Sequence, residues 1–425
     1  MGEIGSNGKT KILHLQFGSS PSGNYTIRQH EAFLEAGFDS KVLSLNSLVF
    51  GDPRIQKLGK AAKLKGRLNQ HLMKFVTRKA DKSYGLFSCS FIGSDIRRHP
   101  LVMEADLIYV HWVLGGFLSI KNLEQLGRLG KPMIIIMHDM WTITGGCSHS
   151  FDCQKFLTHC HNCPILPGDS IKDLSYRQFE EKRRFYGKYD HLFFVAPSIW
   201  LYNLAQKAAL TRDKPIFHIP NVIDTAIFKP FDKNVAKKIL NLEEKDFVIA
   251  FGANWIDSPY KGWKYLLSAL QKLNEKNLHR EIQILIFGSG ADDRIKNAIP
   301  FKVKFMGFVK DDYATNLIYN ASDVFVVPSV ADNLPTTILE SLSCGTPVVG
   351  FSTGGIPDMI DHKVNGYLAR QRDADDLADG IAYVMENNLQ GQLKERFSRA
   401  RFIQDHLDLI SYINKHSVYS GADQV

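Results

Sequence analysis

The sequence predicts an α/β protein of two doubly wound domains, each a parallel sheet covered by helices on both faces, with one further helix at the end. Three observations carry this expectation. Continuous apolar runs of strand length recur along the chain, and unbroken apolarity marks strands buried on both faces. Segments with apolar residues at helical spacing separate the runs, as parallel strands require. The runs also fall into two series of similar length, and 425 residues are too many for one ordinary core.

The first series is Lys11 to Phe17, Lys41 to Leu45, Leu107 to Val110, Pro132 to Met137 and Leu192 to Val195. The second is Phe247 to Phe251, Ile282 to Phe287, Val303 to Met306, Val324 to Val327 and Val348 to Phe351. Between them, Ile219 to Asp224 and Phe228-Lys229-Pro230 read as a proline-punctuated linker. The expected division is 1–217, 218–396 and 397–425. The last piece is helical from the spacing of Phe402, Leu407, Leu409-Ile410 and Tyr412-Ile413.

Composition narrows the class. Hydrophobic content of 44% and charged content of 23% are globular values. The net charge of +8 suits an acidic partner: a nucleotide diphosphate, an anionic lipid surface or nucleic acid. No apolar stretch reaches the roughly 20 residues of a membrane span. MGEIGSNGKT at the start has no apolar core and so is not a secretory signal. MGEIGS resembles a myristoylation start, but a strand follows almost at once. The expected location is cytoplasmic, with peripheral contact at the inner face of a membrane left open.

Taken in order, the first strand leads into Gly18-Ser19-Ser20-Pro21-Ser22-Gly23-Asn24 and a helix from about Tyr25. A glycine- and serine-rich strand-to-helix turn lets backbone N–H groups approach a phosphate or sugar; a plain tight turn is the alternative. The same holds for Phe287-Gly288-Ser289-Gly290. Residues 54–82 carry ten basic side chains (Arg54, Lys57, Lys60, Lys63, Lys65, Arg67, Lys74, Arg78, Lys79, Lys82) against one acid, Asp81. Ile55, Leu58, Ala62, Leu68, Leu72 and Phe75-Val76 sit near helical spacing among them. Such a segment suits an anionic membrane surface; the alternative is a solvated helix packed by its apolar face on the first sheet. Nucleic acid is excluded as a partner, because no groove-reading motif or interleaved stacking aromatics appear.

His138-Asp139-Met140-Trp141 follows an apolar run and so falls at a strand's carboxyl end. A neutral histidine there can donate a hydrogen bond to a sugar hydroxyl or a developing charge; a histidine bonded within its own loop is the alternative. Cys147, Cys153, Cys160 and Cys163 lie within 17 residues, with His149, His159 and His161 between them. A structural zinc on the four thiolates is the leading reading, with iron–sulfur, redox pairing or free thiols as the others. Lys172 to Lys188 reads as a charged helix with a solvated face. Lys261, beside Gly262 in a strand-to-helix loop, can neutralise a diphosphate leaving group or simply face water.

The densest signal is Pro328 to Gly350: strand end, loop, helix, turn, strand. Asp332 and Glu340 stand at either end of the loop–helix corner, eight positions apart. Open α/β sheets bind ligands at strand carboxyl ends, and a helix start there offers N–H groups to an anion. A sugar nucleotide needs both kinds of group: donors for the diphosphate and carboxylates for the sugar and ribose hydroxyls.

Together, Ala196-Pro197-Ser198, Ile219 to Asp224, Lys261-Gly262, Phe287 to Gly290 and above all Asp332 to Gly366 resemble a retaining glycosyltransferase of the GT-B fold in the GT4 group. His138 to Pro164 is similar to the bacterial capsule and exopolysaccharide branch, colanic-acid-type transferases included. The resemblance implies two Rossmann-like domains facing a cleft, an acceptor-side first domain, a nucleotide-sugar-binding second domain, and a last helix returning to the first. It implies no catalytic metal. Glu340 matches the second Glu of the family's E-x7-E and takes the ribose position. Asp332 stands where the first Glu would be, one methylene shorter, toward the donor sugar. Asn333, Leu334, Thr336 and Thr337 offer loop N–H or hydroxyl groups, Lys261 the diphosphate cation, and His138 a first-domain contact to the sugar. Gly18, Asn254 and Gly288 complete the donor-binding set. The arginine usual before the lysine is absent: Gly252 is followed by Ala253, Asn254 and Trp255.

The implied reaction moves a hexosyl unit, with retention, from a nucleotide-diphosphate sugar to a glycan or lipid-linked acceptor hydroxyl, with UDP-sugar favoured over GDP-sugar. An epimerase or phosphorylase on the same fold is one alternative. A catalytically decayed binding or scaffold protein of a glycan assembly complex is another.

Overall fold

The structure is a computed structural model and describes residues 9–20, 25–81, 85–168, 170–276, 278–290 and 293–419. The chain divides into two compact units, residues 1–222 with 400–425, and residues 223–399.

Among the described residues the first unit is built on a seven-stranded parallel sheet. Its strands are β1 (Lys11–Ser19), β2 (Asp39–Ser47), β3 (Ile55–Lys57), β4 (Leu107–Val110), β5 (Met133–Ile136), β6 (Leu192–Ala196) and β7 (Ile216–His218), in the order β3-β2-β1-β4-β5-β6-β7. Strands β4, β5 and β6 are buried along their whole length, which is why they read as unbroken apolar runs. One face of the sheet packs against helices of the same unit through Leu13, Ile108, Ile135 and Phe194. The other face carries Ile12, Tyr109, Ile134 and Val195 and meets Phe402, Leu409, Ile410 and Ile413 of the last helix, Arg399–Tyr419. That helix therefore returns to the first sheet.

The second unit holds a six-stranded parallel sheet among the described residues: β8 (Phe247–Trp255), β9 (Ile282–Ser289), β10 (Lys302–Gly307), β11 (Val324–Val327), β12 (Val348–Phe351) and β13 (Gly366–Ala369), in the order β10-β9-β8-β11-β12-β13. In each sheet the order runs outward in both directions from a central strand, β1 in one and β8 in the other. The switch points are β1/β4 and β8/β11, where loops diverge and ligands bind in such sheets.

Strands β3, β7 and β13 escape the sequence reading. Each has three or four residues at a sheet edge, too short for an apolar run to register. β7 ends directly before the stretch read as linker.

Two charged helices are anchored in ways their composition does not show. Leu174–Lys188 has the expected solvated face, with Arg177, Arg183, Arg184 and Lys188 exposed, and on its other face it buries Phe179, Phe185, Tyr186 and even Lys182. The Lys182 ammonium donates to the carbonyls of Trp141 and Thr144, the latter at 2.9 Å, and lies 3.6 Å from the centre of the Trp141 ring. Burial still pulls its pKa down to about 7.

The basic helix Lys60–Val76 docks by its small face rather than its apolar one. Gly66 and Asn69 are its buried residues, and Gly66 lies so close to Gly116 that a Cβ on Gly116 would meet the Gly66 Cα at 2.7 Å. Asn69 Oδ1 accepts from the backbone N–H of Phe91 and Ile92. Leu64, Leu68, Leu72 and Phe75 are left as an exposed apolar stripe. Lys82, the last basic residue of that segment, and the start MGEIGS lie outside the described residues.

Candidate functional site

In the second unit the expected residues gather at the β8/β11 switch point. Lys261 ends the turn Pro259–Lys261 after β8, and Asp332 lies in the loop after β11. The Lys261 Nζ donates to Asp332 Oδ2 at 2.7 Å, with the two side chains 26% and 16% exposed. Burial alone would lower the Lys261 pKa, but the Asp332 charge and hydrogen bond outweigh it and hold it above the ordinary value. Ser329 Oγ donates to the same Asp332 oxygen at 3.4 Å. The two loops are tied by the N–H of Val330 donating to the Tyr260 carbonyl at 2.8 Å.

Two glycines make this closeness possible. Gly262 has φ +73°, and a Cβ there would sit 1.8 Å from the Pro328 carbonyl oxygen. Gly354 has φ +54°, and a Cβ there would sit 1.8 Å from the Asp332 carbonyl oxygen. Only a residue without Cβ satisfies both the dihedral and the approach.

Asn333 and Leu334 are buried just before the helix Thr336–Ser343. Pro335 stands at the N-cap of that helix and supplies no side-chain cap. The N–H groups of its first turn, Thr336 and Thr337 included, have no partner inside the helix and make a weakly positive end suited to an anion. Glu340 lies one turn further on, 4% exposed, and its Oε2 accepts from the buried Tyr319 hydroxyl at 3.1 Å.

Two further expected donor-binding residues take up distinct positions. Asn254 is exposed at a register shift of β8 between Ala253 and Trp255. Such bulges re-aim side chains beside sites. Gly288 lies inside β9 with φ +130°, and a Cβ there would meet the Ala253 carbonyl oxygen at 1.8 Å, so it lets β8 and β9 close up.

In the first unit β1 runs on to Ser19, so Gly18 is a strand residue opposite Asn46 and not a loop residue. Pro21, Ser22, Gly23 and Asn24 of the expected turn lie outside the described residues. His138 follows β5 and is half-buried; its Nε2 lies 3.2 Å from Nδ1 of His111, which follows β4. His111 Nε2 in turn lies 3.0 Å from Nδ1 of His14 on β1. Burial keeps all three neutral, with the His138 pKa lowered to about 4 and the other two well below the usual value.

The four cysteines lie near enough to one another for each charge to be felt by the next. Among the described residues no group of three or more His, Cys, Asp or Glu side chains stands where it could hold a metal ion. All four are free thiols. Cys147 packs with Phe87, Ile165 and Leu166, and Cys163 lies against the same small cluster. Cys160 belongs to the main core and accepts the Gly145 N–H at 3.2 Å. Burial drives the Cys147 and Cys163 pKa values up and that of Cys160 to about 12. His159 is engaged elsewhere, with Glu180 at 2.6 Å.

Sequence reasoning missed His14, His111 and Gly354. The first two were hidden within and just after apolar strands. Gly354 had a legible signal, a Gly-Gly pair directly after the β12 run.

Residues 246–387 match the family described as Glycosyl transferases group 1. An uncharacterized glycosyltransferase of Methanocaldococcus jannaschii is 33% identical over 153 residues, 32% of this chain and 38% of that protein. The UDP-Gal:alpha-D-GlcNAc-diphosphoundecaprenol alpha-1,3-galactosyltransferase of Escherichia coli is 27% identical over 191 residues, 40% of this chain and 45% of that protein. The chain thus spans less than half the length of these curated relatives. Sucrose-phosphate synthase from Thermosynechococcus elongatus superposes with a TM-score of 0.63 at 18% identity, covering 97% of this chain and 99% of that one. Among the described residues no helix is long and apolar enough to cross a membrane. Residues 246–387 are a glycosyltransferase group 1 domain, and the chain as a whole shares its two-sheet fold with the sucrose-phosphate synthase structure.

Proposed function

We propose that this protein transfers a hexosyl unit, with retention, from a UDP-sugar to the hydroxyl of a glycan or lipid-linked acceptor in surface polysaccharide or glycolipid synthesis. The observation that carries the reading is the Lys261–Asp332 pair at the β8/β11 switch point, beside the start of the helix Thr336–Ser343, inside the group 1 domain. A cation and a helix N-terminus suit a departing diphosphate, and carboxylates suit sugar hydroxyls. The E. coli relative, whose name gives a UDP-sugar donor and a diphosphoundecaprenol-linked acceptor, supports the choice of both substrates.

On this reading the second unit holds the donor. Lys261 and the N–H groups of Thr336 and Thr337 meet the diphosphate, Asp332 with Asn333 and Leu334 the sugar, and Glu340 the ribose. Charge grows on the leaving diphosphate as the sugar carbon becomes oxocarbenium-like. Each well-placed donor there contributes a few kcal/mol. The acceptor hydroxyl attacks from the same face, and its proton passes to the leaving phosphate. The first unit serves the acceptor, and His138 adds a neutral hydrogen-bonding group.

The exposed stripe Leu64, Leu68, Leu72 and Phe75, flanked by exposed Lys60, Lys65, Arg67 and Lys74, supports a lipid-linked acceptor. An apolar ridge edged with cations suits an anionic membrane surface. The test is a panel of UDP- and GDP-sugars, each offered with polyprenyl-diphosphate sugars and with water-soluble oligosaccharides, and read as glycosylated product. Release of free nucleotide without any glycosylated product under all combinations would refute the transferase reading.

A further inference from the structure

Directly after His138 and Asp139 the chain makes a tight turn, Met140–Ile143, and runs on through Thr144 and Gly145; residues 140–145 are all buried. Their carbonyls belong to no sheet, so these buried acceptors need donors from elsewhere.

The charged helix Leu174–Lys188 supplies them. The buried Lys182 ammonium donates to the Trp141 carbonyl and, at 2.9 Å, to the Thr144 carbonyl. The Tyr186 hydroxyl donates to the Thr142 carbonyl between them at 3.2 Å. The same ammonium stands over the Trp141 ring, 3.6 Å from its centre. Gly145 lets the segment seat this closely, for a Cβ there would meet the Ser175 carbonyl oxygen at 2.4 Å. The turn is also tied on its own side: Asp139 accepts the Trp141 N–H at 2.7 Å, the Met140 N–H donates to the Ser148 carbonyl at 3.0 Å, and the Trp141 indole N–H donates to the Ser88 carbonyl at 3.0 Å.

A fully buried lysine is costly, and an apolar side chain packs in such a place without that cost. What the ammonium adds is a fixed place for two carbonyls three residues apart. His138 adjoins what it fixes. The backbone before His138 is held by β5, and the backbone after it by this turn. The ring stands between His111, with Nε2 3.2 Å from His111 Nδ1, and Tyr25, which packs edge-on with centroids 5.3 Å apart. A shift of the turn moves the ring against both neighbours.

We propose that Lys182 and Tyr186 are positioning residues: by holding the carbonyls of Trp141, Thr142 and Thr144 they set the place of the His138 ring for sugar transfer. The inference rests on the reading that gives His138 a part in the acceptor-side site.

The test has two parts, both on full-length protein. Proton–carbon correlation of the histidine ring Cε1–H groups reads where the His138 ring sits, its signal being the one missing from His138→Gln. In Lys182→Met, an apolar side chain of similar length, the His138 signal should shift or broaden while that of His362 in the second unit stays in place. An unmoved His138 signal overturns the proposal. The second part is the rate, with the UDP-sugar and acceptor that turn over in the panel above. Lys182→Met should lower kcat about tenfold and leave the donor KM within about twofold. Added to His138→Ala it should cost nothing further, because a positioning residue works through the residue it positions. Losses that multiply in the double variant, or a wild-type kcat in Lys182→Met beside a slow His138→Ala, also overturn it. Should Lys182→Met fail to fold, Tyr186→Phe takes its place in both parts, with a kcat loss of about threefold, and an unmoved His138 signal there is equally decisive. If the His138 signal moves but His138→Ala transfers sugar at the wild-type rate, the positioning stands and the reading of His138 falls.

Discussion

Lys261 Nζ donates to Asp332 Oδ2 across 2.7 Å, and the two residues come from the loops that follow β8 and β11, the neighbouring strands where the sheet order turns. The pair gives each residue a partner without substrate. On the proposed reading, a donor diphosphate takes over the ammonium and leaves the carboxylate for sugar hydroxyls. The pair is then a stored arrangement that donor binding exchanges.

That exchange can be tested at Lys261. Lys261→Ala should lower kcat/KM for the sugar-nucleotide donor about a hundredfold or more. It should change unfolding free energy by only about 1 kcal/mol or less, because the ion pair is partly exposed. Steady-state kinetics with parallel urea melts separate the two effects. Wild-type turnover in this variant would remove Lys261 from the site. Asp332→Glu, which adds the methylene the family pattern has, should keep transfer but alter the ranking of donor sugars.

Glu340 and Tyr319 make a second separable pair. Glu340→Ala should abolish transfer and weaken UDP binding, measured by calorimetry. Tyr319→Phe removes only the hydroxyl that donates to Glu340. It should cost about 1 kcal/mol of stability and leave UDP bound. Equal loss of nucleotide affinity in both would show that the hydrogen bond, and not the carboxylate's own contact, matters.

Acid should destabilise the first unit through its histidines. Burial is the main cause that lowers the pKa values of His30 and His138 to about 4 and of His406 to about 3, and it holds His14 and His111 well below the usual value. In the unfolded chain these rings take up protons near pH 6.5, whereas the folded ones do not. The stability is therefore complete above about pH 6.5 and is lost as pH falls toward 4, at about 1.4 kcal/mol per pH unit for each ring that remains neutral only when folded. Urea midpoints between about pH 6.5 and 5, above most carboxylate titration, should drop steeply, and His406→Gln should flatten the slope. A midpoint constant over that window contradicts the assignment.

The helix Lys60–Val76 yields a surface prediction. Leu64 and Phe75 are 68% and 62% exposed, so Leu64→Ser with Leu68→Ser should leave the melting temperature within a few degrees of wild type. Wild-type protein should co-sediment with vesicles containing phosphatidylglycerol and much less with pure phosphatidylcholine, with binding weakened by salt. The double variant should lose most of it. Equal sedimentation of wild type and variant would mean that the stripe is not the contact.

Much of the site was legible because its chemistry is local. Asp332, Asn333, Thr336 and Glu340 lie in one strand–loop–helix passage, and a polar loop after an apolar run already places them at a strand end. Lys261 was legible for the same reason, but its partner was not, because 71 residues separate it from Asp332. The cysteine spacing suggested a metal, and what the structure adds is that Cys160 joins the main core while Cys147 and Cys163 lie at a smaller apolar cluster. Spacing along a chain does not specify how far apart loop residues come to rest.

By itself the sequence determined the two parallel sheets, the group 1 passage and the strand-end location of His138, since apolar period and turn residues act over a few positions. Only the tertiary structure decided what those residues touch. Sheet order set Lys261 against Asp332 and brought His14, His111 and His138 together in a row. The small face of Gly66 and Asn69 turned a leucine stripe outward. Each of these depends on which strands and helices become neighbours, which is decided by how the whole core packs and not by any local run of residues.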